Sequence, residues 1–215
     1  MASKKPIKTT KVSKNPIKPT TKKETKTEVL TPKEAQPPKV EIQVVNIVVS
    51  TSLEHDVPLE KMAATLSNTE YNPEQFPGLV IRIKEPKTSA LIFSSGKVVC
   101  TGARNMQKVE ESIQKIIESL QKIGIKITIK PKINIQNIVA SGSIGMDLNL
   151  NVLAMKLSNT EYEPEQFPGL VYKLMEAKAT FLLFSNGKVV CTGTKSEAEV
   201  HTALDLLIKN LKKVM

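Results

Sequence analysis

The chain has 215 residues, 40% of them hydrophobic, 31 basic against 21 acidic, and a formal net charge of +10. That length can bury a real core in one or two domains, and no run of about 18 apolar residues is present to cross a membrane. Neither a secretory h-region nor a CxxC or histidine cluster of metal-ligand spacing is found, so the expectation is an intracellular protein with no metal and no cofactor.

The excess charge is local. Residues 1–39 hold 11 lysines and 3 glutamates, a net of +8, whereas the remaining 20 basic and 18 acidic residues leave only +2. This Lys-, Thr- and Pro-rich segment has too few apolar residues to offset the cost of ordering its backbone, and is expected to be a disordered tail. It either adds non-specific attraction to phosphates or serves as a solubilising extension.

Val40 to Ser50 is β-branched and strand-like. Asp56-Val57-Pro58 then opens a short helix over Leu59 to Leu66, with Leu59, Met62, Ala63 and Leu66 at helical spacing. Asn72-Pro73 and Pro77-Gly78 enclose a tight loop around Phe76. Three strands are predicted next, Leu79 to Lys84, Ser89 to Ser94 and Lys97 to Thr101, with a hairpin turn at Ser95-Gly96. An amphipathic helix follows from about Asn105 to Ile123, carrying Met106, Val109, Ile113, Ile116, Ile117 and Leu120 on one stripe. The order then repeats. Extended segments from Ile125 to Ser141, broken near Pro131, lead to a short helix over Asn149 to Leu157 and three strands within Leu170 to Thr192. Ser196 and Glu199 form a capping box for a last helix through about Lys212.

The repetition is nearly literal. Ser67 to Gly102 recurs as Ser158 to Gly193 at an offset of 91, without gaps, and the block G-K-V-V-C-T-G is unchanged. Two copies of this size imply internal pseudo-twofold symmetry rather than a solenoid, which needs three or more shorter units. Each copy reads as strand, short helix, strand meander, long helix: an α+β pattern with an antiparallel sheet and helices on one face. The expected division is 1–39, 40–124 and 125–215.

That sheet has too many apolar faces. Antiparallel strands covered by helices on one side should alternate apolar and polar residues. Instead both parities are apolar in Ala90-Leu91-Ile92-Phe93, Phe181-Leu182-Leu183-Phe184, Ile47-Val48-Val49 and Val98-Val99-Cys100. Two helices per unit suffice for one face, so the other needs a second domain, an oligomer or a ligand with a broad apolar surface. On its parity stand Val99 and Thr101 with Lys97, and Val190 and Thr192 with Lys188. Arg82, Lys84 and Lys173 lie beside it, and Asn46 and Asn137 precede Val48 and Val139. An apolar floor with paired amides at its centre and basic residues around it suits a DNA minor groove, whose floor at A·T pairs offers only acceptors. Two other classes fit these residues less well. An enzyme would need a converging acid–base or nucleophile constellation, and the two histidines are unpaired. A structural or lipid-binding protein closing its sheet by dimerisation would not place lysines along the strip.

These residues resemble the TATA-box-binding protein family, in its archaeal form. The matching motifs are V-N-I-V and Q-N-I-V, both Y-x-P-E-Q-F-P-G-L-V loops, A-L-I-F-S-S-G-K-V-V-C-T-G and F-L-L-F-S-N-G-K-V-V-C-T-G, and the likeness spans about Val40 to Met215. It implies a saddle: one curved antiparallel sheet across both repeats, helices on the convex side, and double-stranded DNA bearing an A·T-rich promoter element on the concave side. Family members kink that DNA by about 80° with two phenylalanine pairs. By the resemblance these are Phe76 with Phe93 and Phe167 with Phe184. Asn46 and Asn137, with Thr101 and Thr192, would bond at the centre of the groove. Val48, Val99, Val139 and Val190 would touch its floor, and Leu91 and Leu182 would support the phenylalanines. Arg82, Lys97, Arg104, Lys173, Lys188 and Lys195 would meet phosphates. Glu163 and Glu165 match positions that contact transcription factor B, and RNA polymerase would be an indirect partner. Lys173 in place of Arg82, and Glu176-Ala177-Lys178 in place of Glu85-Pro86-Lys87, depart from symmetric phosphate contacts. The lysine-rich tail has no archaeal counterpart.

Overall fold

A computed structural model describes residues 40–215; the expected tail, 1–39, lies outside them. The first repeat comprises β1 (Glu41–Ser52), α1 (Leu59–Thr65), β2 (Thr69–Glu70), β3 (Gly78–Ile83), β4 (Thr88–Phe93), β5 (Lys97–Ala103) and α2 (Met106–Lys122). The second has β6 (Asn134–Ser143), α3 (Leu150–Lys156), β7 (Thr160–Glu161), β8 (Leu170–Leu174), β9 (Ala179–Leu183), β10 (Lys188–Thr194) and α4 (Glu197–Val214). All ten strands form one antiparallel sheet in the order β2-β3-β4-β5-β1-β6-β10-β9-β8-β7. The order is symmetric about the β1–β6 ladder, in which Ile47 pairs with Ile138, its own equivalent 91 residues on.

The expected strand order holds, with three local differences. Ile125 to Ile133 forms no strand; pairing begins at Asn134. Gly124, at φ 85°, turns the chain out of α2 with its amide on the Gln121 carbonyl, and Pro131 has no N–H to give a ladder. Two-residue strands β2 and β7, too short to carry a pattern, close the two edges of the sheet. The β8–β9 connection is a 3-10 turn, Met175–Ala177, ending on Lys178 at φ 50°, where the first repeat has a turn through Glu85-Pro86.

Both long helices begin where the side chains dictate. The Asn105 carboxamide accepts from the Lys108 N–H at 2.9 Å, and the Ser196 hydroxyl from the Glu199 N–H at 3.2 Å, each satisfying a first-turn donor. The capping box closes one residue early: the Glu199 carboxylate accepts from the Lys195 N–H at 2.8 Å.

The core lies between the helices and one parity of the strands. Ile47, Val49, Leu79, Ile81, Ile92, Val98 and Cys100, and their equivalents Ile138, Ala140, Leu170, Tyr172, Leu183, Val189 and Cys191, are buried against Val109, Ile116 and Leu120 of α2 and Val200, Leu204 and Leu207 of α4. Phe181, fully buried, belongs here and not with the other four phenylalanines. Both cysteines are free. Burial raises each thiol pKa, that of Cys191 to about 11; at Cys100 a hydrogen bond from Ser112 opposes the rise. Ser112 also meets the Thr88 hydroxyl at 2.8 Å, a buried polar pair that the second repeat replaces with Ala179 and Ala203.

One buried hydroxyl, Thr194 Oγ1, has no hydrogen-bond partner among the described residues; the equivalent position in the first repeat is Ala103. An unpaired buried hydroxyl costs about 1 to 3 kcal/mol. Thr194→Val keeps the shape and removes the polar group, so a gain of about 1 kcal/mol is expected, read as a raised urea midpoint at constant m-value.

Candidate nucleic-acid interface

The face away from the helices is apolar and twofold-related. Cross-strand register aligns Val80, Leu91 and Val99 with Ser50 in the first repeat, and Val171, Leu182 and Val190 with Ser141 in the second. All of these are half-buried, so each row offers apolar surface to an incoming body. At the centre, Asn46 pairs with Val139 and Val48 with Asn137, which puts both amides and two valines beside the symmetry axis. The predicted floor residues are therefore brought together.

The amides are held in one orientation. The Gly102 N–H donates to Asn46 Oδ1 at 2.8 Å, and Asn46 Nδ2 donates to Thr101 Oγ1 at 3.1 Å. Gly193 and Thr192 treat Asn137 identically, at 2.8 and 2.9 Å. A backbone donor can bond only the carbonyl oxygen, so each NH2 is fixed on the other side. Thr101 and Thr192 take one of its two N–H groups, leaving the second for a ligand acceptor.

The four predicted phenylalanines form two edge-to-face pairs at opposite ends of the sheet. Phe76 and Phe93 have ring centroids 5.9 Å apart and planes at 63°; Phe167 and Phe184 repeat this at 5.9 Å and 70°. Phe76 is 43% and Phe167 41% exposed, large apolar rings left in water. Each ends a tight loop: the Phe76 N–H donates to the Asn72 carbonyl at 3.0 Å, and the Phe167 N–H to Glu163 at 2.9 Å.

Two residues at this site escaped the sequence reading. A Cβ on Gly78 would stand 2.6 Å from Phe76 Cε1 and 3.2 Å from Phe93 Cε1; on Gly169 the distances to Phe167 and Phe184 are 2.6 and 3.1 Å. The Pro-Gly dipeptides signal a turn, and nothing in the sequence marks the space that each glycine leaves for the rings. Gly78→Ala with Gly169→Ala must push the rings outward, which exposed rings do cheaply. Stability is expected to stay within about 1 kcal/mol of wild type while the geometry of any DNA kink changes, which fluorescence-transfer distances between the duplex ends would register.

The basic residues divide. Lys97 and Lys188 share the parity of Val99 and Val190 and are exposed. Lys188, Phe184 and Val190 line an open trough of about 700 Å³ on the second half of this face. Arg82 instead holds Glu70 at 3.0 Å, and Lys173 approaches Glu161 at 4.0 Å, both pairs in solvent. Such surface pairs contribute less than about 1 kcal/mol and yield readily to a phosphate. Arg104 lies off the floor, in a niche with Gln43, Glu197 and His201. Lys195 precedes the cap of α4. Glu163 and Glu165 are exposed in the Phe167 loop, where the Glu163 carboxylate accepts a hydrogen bond from Gln166. No cluster of His, Cys, Asp or Glu able to hold a metal occurs among the described residues, and no helix among them is long and apolar enough to cross a membrane.

A ten-stranded open sheet with four helices on one face, and an apolar, amide-bearing surface on the other, defines the class of saddle folds. A model of the family described as transcription factor TFIID (or TATA-binding protein, TBP) matches residues 41–123 and again 132–214. The TATA-box-binding protein of Pyrococcus furiosus is 47% identical over 175 residues, covering 81% of this chain and 92% of the relative. That of Picrophilus torridus is 52% identical over 175 residues, 80% and 95% of the two chains. The solved structure of Methanococcus jannaschii TBP superposes with a TM-score of 0.76 at 49% identity, over 81% of this chain and 99% of that one. This chain belongs to the TATA-binding protein family; it is a transcription factor of archaeal type and not an enzyme.

Proposed function

We propose that the chain binds the TATA element of a promoter in the minor groove, kinks it with the pairs Phe76–Phe93 and Phe167–Phe184, and so builds the platform on which transcription factor B and then RNA polymerase assemble. The observation that carries this reading is the twofold-related open face, with two fixed amides at its centre and at each end a phenylalanine pair of which one ring is exposed. The free N–H of Asn46 and Asn137 meets the acceptors of A·T pairs, whereas a G·C pair would bring its own amino group against these donors. The valines and leucines cover sugar edges, and opening the groove toward a flat floor makes the rings natural replacements for lost base stacking. Lys97 and Lys188 lie along the path of the phosphates. Glu163 and Glu165 present the acidic surface for factor B. The two repeats, 40–124 and 125–215, act as one body through the shared sheet.

The test is a mobility-shift and bend measurement of the full chain on a TATA duplex and on one with G·C pairs at the central steps, over a series of salt concentrations. A bent complex specific for the TATA duplex supports the reading; equal, unbent binding to both overturns it. In Lys97→Ala with Lys188→Ala, the slope of log K against log salt should fall by about 1.8, from 0.9 per lost phosphate contact.

A further inference from the structure

Six large apolar residues are exposed among the described residues: Val40, Phe76, Phe167, Met155, Met175 and Met215. Val40 begins the described chain and the phenylalanines belong to the open face. The three methionines remain, 78%, 68% and 63% exposed, all in the second repeat.

One of them, Met175, lines a cleft that the other two adjoin in sequence. A cavity of about 320 Å³ is lined by Lys156, Leu157, Tyr172, Met175, Lys213 and Val214, among others; Met155 and Met215 adjoin the lining residues Lys156 and Val214 in the chain. Its walls are tied together. Lys156 Nζ donates to the Val214 carbonyl at 2.7 Å, joining α3 to the end of α4, and Asn210 Nδ2 donates to the Tyr172 hydroxyl at 3.1 Å across the floor. The 3-10 turn found only in the second repeat carries Met175 to the rim. None of this has a counterpart in the first repeat, where the positions of Met155, Tyr172, Met175, Asn210 and Met215 hold Ala64, Ile81, Lys84, Ser119 and Gly124.

We propose that this cleft is a docking site for an acidic amphipathic segment of a partner protein. Methionine is flexible and polarisable, and suits a surface that must mould itself to apolar side chains of varied shape. Charge selects the rest of the occupant. Lys156 and Lys213 line the cleft with Lys173, which approaches Glu161 at 4.0 Å, and Glu176 is the one carboxylate in the lining; Lys209 and Lys212 follow on the same exposed end of α4. The surface is complementary to carboxylates at the rim of an apolar anchor. A second copy of the chain would set these lysines against their own equivalents. A nucleic acid would satisfy the lysines but leave the methionines in water.

The full chain, labelled with 13C at its methionine methyl groups, is titrated with a synthetic 15-residue helical peptide. The peptide carries Leu at i, i+3, i+4 and i+7 and Glu elsewhere; a control peptide carries Lys for Glu. Expected are saturating shifts of Met155, Met175 and Met215 with no movement of buried Met62, and affinity at least about tenfold above that of the Lys peptide. Met155→Ala with Met175→Ala should lose about tenfold, and Lys213→Glu at least about threefold, with the near-UV spectrum retained. Absence of shifts up to about 1 mM peptide, or equal response to both peptides, overturns the proposal. Shifts on raising protein concentration alone would also overturn it, in favour of self-association.

Discussion

Phe93→Ala combined with Phe184→Ala is expected to abolish the kink in a TATA duplex while leaving the fold intact. Both rings are only partly buried and lie on the open side of β4 and just beyond β9, away from the helix-packed core. Their removal therefore creates no cavity among α2, α4 and the inner strand faces. In the proposed complex the substitution removes the ring that would replace a stacked base at each end of the site. A base–aromatic stack is worth about 1 to 3 kcal/mol, so two should cost about 2 to 6 kcal/mol, a weakening of at least thirtyfold. Phe76 and Phe167 would remain but lose the edge-to-face partner that orients them. Circular-permutation mobility and calorimetric melting separate the two quantities. A mutant that still bends DNA fully would show that the rings do not wedge.

Asn46→Asp with Asn137→Asp should be more damaging still, for a different reason. Aspartate keeps the oxygen that accepts the Gly102 and Gly193 N–H groups at 2.8 Å, so the local backbone stays satisfied. It replaces the donating amide with a carboxylate, which in the proposed complex would face groove acceptors among phosphates. Losing both donors and burying unpaired charge should cost about 2 to 3 kcal/mol per site, some thousandfold or more for the pair. The loss should be relieved little by adding salt, because a carboxylate facing a base acceptor is not a screened surface contact. Isothermal titration on wild type and mutant, with melting curves as the control, gives the comparison. Retained affinity would place the amides outside the contact surface.

Much of this site was legible because it is written twice. The offset of 91 paired Asn46 with Asn137 and each phenylalanine with its equivalent, and strands apolar on both parities announced a second face to be covered. What stayed hidden depends on register, which alternation within a strand does not set. That Arg82 meets Glu70, and Lys173 Glu161, follows from β2 and β7 pairing with β3 and β8, and two-residue strands leave no periodic trace. That Gly78 clears space for two rings follows from their packing, not from the Pro-Gly dipeptide. Ile125 to Ile133 shows the opposite error: alternating isoleucines look like a strand, yet they take no place in the ladder, whose partner positions on β1 are filled from Asn134 onward. The methionine cleft was illegible because its parts come from α3, β8, the turn after it and the end of α4, and no one segment carries a pattern of its own.

The ladder joining β1 to β6 makes each half depend on the other. A polypeptide ending after the first repeat would present β1 as a long bare edge, with hydrogen-bonding groups and Ile47 open to any strand that could fit them. Its best match would be an identical copy in antiparallel orientation. The present molecule thus holds two similar halves on one tether, so their pairing through β1 and β6 does not depend on concentration. The tether also leaves the halves free to differ, as the threonine–serine pair beneath one and the exposed methionines of the other show.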